Sequence, residues 1–207
     1  MNKILYFLSK VISYILHPII IPTIIVMILA VCSPSLLLPI QTEFLVYFVI
    51  FIFATTWAIP ALVIYGLHLM DIIKNLELDE PKERIVGILA TTIVYGIVAY
   101  ILFYNFRANL QIMQIFSISV LSQICSIVIT YFWKISLHTI GIWGLVGYLS
   151  GLIYIHNAKE LILPVLAMIL LSGLLLSARL YLQKHTIEQI LAGIMLSSSI
   201  SVAVFCF

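Results

Sequence analysis

The sequence is poor in charged residues. Only 9% of its 207 residues are Asp, Glu, Lys or Arg, whereas 64% are hydrophobic and the mean hydropathy is +1.24. A soluble domain carries about 25% charged residues, so this composition excludes an ordinary soluble domain and indicates a polytopic membrane protein. The formal net charge is only +2. This net charge says little about partners, and we expect no nucleic-acid partner.

Paired cysteines are also lacking. Cys32, Cys125 and Cys206 lie in apolar runs without paired spacing, so the sequence suggests neither a disulfide framework nor a thiolate metal site. No cleavable signal peptide is apparent, because the first apolar stretch lacks a small-residue cleavage site. With no internal repeat and no low-complexity segment, we expect a single integral membrane domain over residues 1–207.

What the sequence does contain is a series of apolar runs, each near the roughly 20 residues that a membrane helix needs. We expect an all-α bundle of seven transmembrane helices, or six if the first run is only partly inserted. Residues 1–17 predict an interfacial helix that ends where His17 caps or orients the break before Pro18. The second span should bend near Pro60. The predicted spans are about 19–31, 44–67, 85–104, 112–132, 134–155, 161–182 and 186–207.

Four glycines in the fifth predicted span are spaced three or four residues apart, which predicts close approach of a neighbouring helix. They are Gly141, Gly144, Gly147 and Gly151.

The distribution of bases bears on orientation. With seven spans, eight of the ten Lys and Arg residues fall on one side, which the positive-inside rule assigns to the cytoplasm. Bases that bind a phosphate would bias this count on either side. Without Arg84, Lys134 and Arg179 the count is five against two, so the sequence leaves the sidedness open.

Three polar corners, at residues 71–84, 134–138 and 178–193, fall on that same side. Ionisable groups within a membrane protein are functional hypotheses by default. Cations together with the N–H groups that begin spans five and seven would bind a phosphate. One histidine could attack phosphorus while the other protonates the leaving oxygen. The candidate residues are Arg84, Lys134, Ser136, His138, Arg179 and His185; Gln189, one helical turn after His185, could hold its ring through a hydrogen bond.

The third corner resembles a motif of the type-2 phosphatidic acid phosphatase / vanadium haloperoxidase superfamily. The family pattern Ser-Arg-x5-His-x3-Asp is similar to Ala178-Arg179, His185 and Gln189, followed by the hydrophobic-Leu-Ala-Gly ending at residues 190–193. The family's Pro-Ser-Gly-His looks like Ile135-Ser136-Leu137-His138. The resemblance covers roughly residues 84–193, which we expect to form a phosphatase-like core.

This resemblance implies that His185 is the nucleophile and becomes phosphohistidine, and that His138 is the general acid. Arg179 and the region of Ser136 would hold the phosphate oxygens. It further implies a multi-pass enzyme of a bacterial-type inner (cytoplasmic) membrane, needing no metal or cofactor, that acts within the lipid bilayer on a phosphatidate-like lipid or a polyprenyl diphosphate. The headgroup, the lipid chain and the choice between a monomer and a homodimer stay open.

The sequence departs from the family pattern in three places. The first motif has a lysine seven residues before Arg-Pro, but here Glu77 precedes Arg84 and Ile85 follows it. Only Arg84 can be carried over, with Lys82 or Lys134 as candidates for the missing lysine. Two predicted spans separate the first and second motifs. Finally, Gln189 replaces an aspartate and cannot stabilise an imidazolium by charge; the analogous loss in a serine-protease triad costs about 10⁴ in rate.

Two other functions stay open. A non-catalytic phospholipid-binding or transport protein could retain the phosphate pocket; Gln189 favours this, whereas two retained histidines oppose it because binding needs no nucleophile. A magnesium-dependent prenyl-diphosphate transferase could hold its metal with Asp79 and Glu83. That chemistry requires a second acid cluster, and the remaining loops offer only single acids, among them Glu160 and Glu188.

Overall fold

The computed structural model describes residues 3–78 and 80–206, and within these residues the chain is helical with no β-strand. Seven helical segments are long and apolar enough to cross a membrane, which confirms the predicted polytopic all-α class. The helices are α1 (Lys3–Ile15), α2 (Ile21–Cys32), α3 (Leu45–Phe53), α4 (Ile59–Leu69), α5 (Pro81–Tyr104), α6 (Leu110–Phe132), α7 (Leu137–His156), α8 (Ile162–Tyr181) and α9 (Ile187–Cys206).

The chain divides into two compact units. We call the first the C-terminal unit; its described residues are 3–21 and 135–206. The second, the central unit, comprises residues 22–134 with the exception of Asp79. The predicted core of residues 84–193 is thus divided between the units. Lys82, Arg84 and Lys134 belong to the central unit, and the other predicted site residues belong to the C-terminal unit.

The first apolar run is broken where the sequence predicts. α1 ends at Ile15, and the Nδ1 atom of His17 accepts a 3.4 Å hydrogen bond from the Ile19 amide at the start of a short 3₁₀ turn, Pro18–Ile20. α1 has 13 residues, too few to span a bilayer alone. Its serines, Ser9 and Ser13, are buried and α1 packs against α8. The interfacial position of α1 stays a prediction.

Close packing of α7 on α9 organises the C-terminal unit. A Cβ atom on Gly147 would lie 2.8 Å from the side chain of Ser201, and one on Gly151 would overlap Phe205. The Ser201 hydroxyl donates a 3.3 Å hydrogen bond to the Gly144 carbonyl. Small residues let the two backbones approach, as predicted for this glycine series.

In the central unit, the helix around Pro60 contains a π-helical turn, Ala54–Ala58. Pro60 has no N–H to donate to the Thr56 carbonyl four residues earlier. The buried hydroxyl of Tyr95, on α5, donates a 3.0 Å hydrogen bond to that carbonyl. A backbone acceptor freed by proline inside a membrane segment is therefore satisfied by a neighbouring helix, as the absence of water requires.

α5 begins four residues earlier than the sequence predicts. Pro81 occupies its first turn and Glu80 is the N-cap, the position where proline is favoured because its missing N–H is not needed. Arg84 therefore lies within the first turns of the helix and not in the preceding loop, and it is buried, with 6% of its surface exposed.

Candidate functional site

The corner between α8 and α9 has a defined geometry. Gln183 adopts a left-handed conformation, with φ of 52°. Its amide donates to the Leu180 carbonyl at 2.9 Å, and the Lys184 amide donates to the Arg179 carbonyl at 3.2 Å. These two bonds form a Schellman motif, a common helix C-cap. The five residues between Arg179 and His185 are therefore the end of α8 and its cap.

α9 begins with a capping box. Thr186 is the residue before the helix, and its hydroxyl accepts a 3.5 Å hydrogen bond from the Gln189 amide. In return, the Gln189 Oε1 atom accepts from the Thr186 amide at 3.3 Å. The pattern Thr-x-x-Gln is a sequence signal for this arrangement, and sequence reasoning missed it. Gln189 thus has a structural role besides its predicted contact with His185.

That predicted contact is present. The Nδ1 atom of His185 lies 3.0 Å from Gln189 Oε1, and only 7% of the His185 surface is exposed. Because an amide oxygen can only accept, Nδ1 must carry the hydrogen, and the second donor, Thr186 N–H, fixes the amide in this orientation. In the neutral ring, the lone pair is therefore on Nε2.

His138, the second residue of α7, is held by a hydrogen bond to α1. Its Nε2 atom donates a 3.1 Å hydrogen bond to the Ser13 carbonyl. Ser13 lies in the last turn of α1, where carbonyls have no donor within the helix. His138 therefore caps α1, and a neutral His138 ring holds its lone pair on Nδ1.

Ser136 positions the start of α7. It is completely buried, and its hydroxyl accepts from the Thr139 hydroxyl at 2.9 Å and from the Thr139 amide at 3.5 Å. Its role as an N-cap fixes the first turn of α7, which carries His138. The prediction that the Ser136 region holds a phosphate oxygen stays a prediction beside this structural role.

His17 joins this cluster. Its ring packs edge-on against His138, with ring centroids 5.4 Å apart and planes at 80°. The Arg179 guanidinium is close enough to interact electrostatically with both rings, and His185 interacts with His138 in the same way. The sequence predicts only a capping role for His17. Gly141 lies against Pro18, where a Cβ atom would be 3.3 Å from the Pro18 Cα; the glycine series predicts a close neighbour, but which residue it would be was not visible in the local sequence.

Three of the predicted cations, Lys82, Arg84 and Lys134, lie in the central unit. Arg84 and Lys134 line one cavity of about 140 Å³ together with Thr130, whereas Lys82 is exposed. The prediction that Lys82, Arg84 and Lys134 hold the same phosphate as His185 stays a prediction, because these residues belong to the other compact unit.

Of the two acids proposed for a magnesium site, Glu83 is among the residues that the structure describes. The Glu83 carboxylate accepts hydrogen bonds from the Lys74 and Asn75 amides at 3.0 and 3.4 Å, which ties the preceding loop to α5. Asp79 lies outside the described residues. Among residues 3–78 and 80–206, no group of three or more His, Cys, Asp or Glu side chains is arranged to hold a metal ion.

No protein-family model, curated protein or solved structure matches this chain. What the site can do therefore follows from the chemistry of its residues. The C-terminal unit brings together one guanidinium, a histidine whose Nε2 can act as a nucleophile, and a second histidine whose Nε2–H is held by a carbonyl. A guanidinium binds phosphate oxygens, and a histidine can form a covalent intermediate.

Proposed function

We propose that this chain is an integral membrane phosphatase that hydrolyses a lipid phosphate or a polyprenyl diphosphate through a phosphohistidine on His185. The observation that carries the proposal is the hydrogen bond from His185 Nδ1 to Gln189 Oε1. With the hydrogen on Nδ1, the lone pair of the neutral ring is on Nε2, the atom that would attack phosphorus, and Arg179 and His138 belong to the same cluster.

In the first step, Arg179 holds non-bridging phosphate oxygens while His185 Nε2 attacks phosphorus. The N–P bond forms as the bond from phosphorus to the leaving oxygen breaks. His138 takes this role as an imidazolium, a form that the negative charge of the bound phosphate favours; its Nδ1–H gives the proton to the leaving oxygen, while the Ser13 carbonyl continues to accept from Nε2–H. The products are an alcohol, or a monophosphate from a diphosphate, and phosphohistidine.

In the second step, water replaces the leaving group. Neutral His138 takes a proton from the water at Nδ1, the water oxygen bonds to phosphorus, and the N–P bond breaks. Inorganic phosphate leaves and both histidines return to their starting protonation states. Gln189 acts as a positioning residue throughout, because it holds the tautomer of His185 and does not itself touch the phosphate.

A second candidate is a non-catalytic phospholipid-binding or transport protein. Two features favour it. Gln189 is neutral and is already used in the capping box of α9, and His138 Nε2 is used to cap α1. Both histidines could then serve packing and charge, with Arg179 as the phosphate ligand.

Phosphate release by the purified protein in detergent tests the choice. Substrates would be phosphatidate, phosphatidylglycerophosphate and undecaprenyl diphosphate, each measured with and without EDTA. We expect EDTA-resistant release on at least one of them, loss of that release in His185→Ala, and a ³²P-labelled adduct that is labile to acid and stable to base.

His156→Ala is the matched control, because His156 is an exposed histidine at the end of α7. It should retain full activity. If neither the wild-type protein nor the control releases phosphate from any of the three lipids above the His185→Ala background, the phosphatase proposal is wrong for these substrates and lipid binding is the better interpretation.

A further inference from the structure

The central unit contains a cavity with the composition of an anion site. Arg84 comes from the first turns of α5, and Lys134 follows the end of α6. Together with Thr130 they line a space of about 140 Å³. This volume is several times the roughly 30 Å³ that one water molecule occupies in the liquid, so it can accept a group of the size of a phosphate.

Thr130 provides an independent indication of a ligand. Its residue surface is only 4% exposed, and its Oγ1 atom is buried without a hydrogen-bond partner. A hydroxyl in a helix usually donates to the carbonyl one turn earlier; Ser126, one turn before Thr130, does so to Ser122 at 2.6 Å. A buried polar atom left unsatisfied costs free energy. Because Thr130 lines the cavity, a polar ligand bound there could satisfy its hydroxyl.

The surrounding charges are compatible with an anion. The two acids nearest in sequence are Glu80 and Glu83. Glu80 is exposed, and Glu83 directs its carboxylate to the amides of Lys74 and Asn75. The start of α5 adds the positive end of a helix dipole.

The cavity also has the apolar wall that a lipid would contact. Tyr131, Phe132 and Trp133 line it, with exposed fractions of 75%, 81% and 43%. Tryptophan and tyrosine at the end of a membrane helix are typical of the headgroup level, and basic pockets between helices at this level bind lipid headgroups.

We propose that the cavity formed by Arg84, Lys134 and Thr130 binds the phosphate group of an anionic ligand, supplied either by a phospholipid headgroup or as free phosphate. The guanidinium and the ammonium groups bind the phosphate oxygens, and the Thr130 hydroxyl donates to one of them. This site does not depend on the phosphatase proposal, since it uses none of the histidines.

The fluorescence of Trp133 gives a local readout. The full-length protein carrying Trp57→Phe and Trp143→Phe would be purified in detergent, so that Trp133 is its single tryptophan. Brominated phosphatidylglycerol, a diester with no terminal phosphate, is titrated against brominated phosphatidylcholine. Inorganic phosphate is added in a separate titration, alone and as a competitor.

Stronger quenching by phosphatidylglycerol than by phosphatidylcholine, without competition from phosphate at millimolar concentration, identifies a lipid headgroup. A change in Trp133 emission caused by phosphate alone, together with competition, identifies the free anion. In either case, Lys134→Gln should weaken binding about fivefold, as expected for one base near the membrane surface, and Thr130→Val about threefold.

Two controls complete the design. Ser126→Ala removes a hydroxyl that is satisfied within its own helix and should not change binding, and neither should His156→Ala, which alters an exposed histidine at the end of α7. Equal quenching by the two lipids with no effect of phosphate would overturn the proposal. So would a preference for the anionic lipid that survives both Thr130→Val and Lys134→Gln.

Discussion

The two compact units hold their helices together by different means. In the C-terminal unit, glycines of α7 let side chains of α9 pack directly against its backbone; a Cβ atom on Gly147 would lie 2.8 Å from the Ser201 side chain. In the central unit, long or branched polar side chains bind across helices. Gln123 accepts from Thr91 and Thr92 at 3.0 and 2.8 Å, and Tyr95 donates to the Thr56 carbonyl.

In the C-terminal unit, close contact at a glycine also positions His138. Gly193 lies against the first turn of α7, where a Cβ atom would be 3.2 Å from the Ser136 carbonyl and 3.0 Å from Thr139. The turn that carries His138 is thus held by backbone contact with α9, the helix that begins after His185. Two backbones in contact can shift less than two flexible side chains joined by a hydrogen bond. This rigidity would suit the proposed site, in which the His138 and His185 rings must keep their positions.

The largest expected effect is on the rate of phosphate release, when Gln189 is replaced. Gln189→Glu retains the Thr-x-x-Glu capping box and adds a charge beside the His185 ring, so we expect phosphate release to rise by about tenfold or more. Gln189→Leu removes the acceptor that fixes the tautomer and should lower release by at least about 100-fold. The exposed neighbour provides a control, since Glu188→Gln should change the rate by less than about twofold. Equal rates for the Glu and Leu variants would contradict a positioning role.

The next effect tests packing in the C-terminal unit. Gly147→Leu inserts a side chain where even a Cβ atom would meet Ser201, and overpacking typically costs about 1–3 kcal/mol. Gly173→Leu on α8 is the matched control, because nothing lies within 4 Å of its Cβ position. Measured in mixed detergent, the free energy of unfolding should fall strongly in Gly147→Leu and change little in Gly173→Leu. If both variants lost a similar amount of stability, close packing at the glycines of α7 would be no more important than at the glycine of α8.

In the central unit we expect a smaller effect on stability. Tyr95→Phe leaves the Thr56 carbonyl without its donor from α5. This should lower the free energy of unfolding by about 0.6 kcal/mol, the average for hydrogen bonds between membrane helices, and by no more than about 1.7 kcal/mol. Pro60→Ala supplies an N–H four residues after Thr56. In a double-mutant cycle measured by unfolding, Tyr95→Phe should therefore cost less in the Pro60→Ala background. An unchanged cost would mean that the hydroxyl does not compensate for the proline.

The smallest expected effect concerns the corner between α8 and α9. Gln183 occupies a left-handed conformation that glycine adopts without the Cβ penalty. Gln183→Gly should raise the free energy of unfolding by about 0.5–1 kcal/mol, while Gln183→Ala should give no gain. A loss of stability in the glycine variant would indicate that the Gln183 side chain makes a contact worth more than the strain.

Most of the fold could be predicted from the sequence because apolar length is a strong signal in membrane proteins. The predicted second and fourth spans, 44–67 and 112–132, differ from the observed segments Thr42–Leu69 and Leu110–Phe132 by two residues or fewer at each end. The contact of Gln189 with His185 was also predictable, since residues four apart share a helical face.

The rest depends on tertiary contacts. The bond from His138 to the Ser13 carbonyl joins residues 125 positions apart, and no local pattern marks a carbonyl as an acceptor. His17 reaches the cluster because Gly141 admits Pro18. The capping box at Thr186 and Gln189 differs from these contacts, because the pattern Thr-x-x-Gln in the local sequence is itself a signal for it.

The Schellman corner has a consequence for how this protein can vary during evolution. Arg179 and His185 are separated by a fixed number of residues because the cap bonds of Gln183 and Lys184 close over that length. Residue types at 180–184 can change freely wherever the cap survives, whereas inserting or deleting one residue would turn His185 away from its partners. Relatives of this chain should therefore differ at the corner by substitution and conserve its length, even where little else of the sequence remains similar.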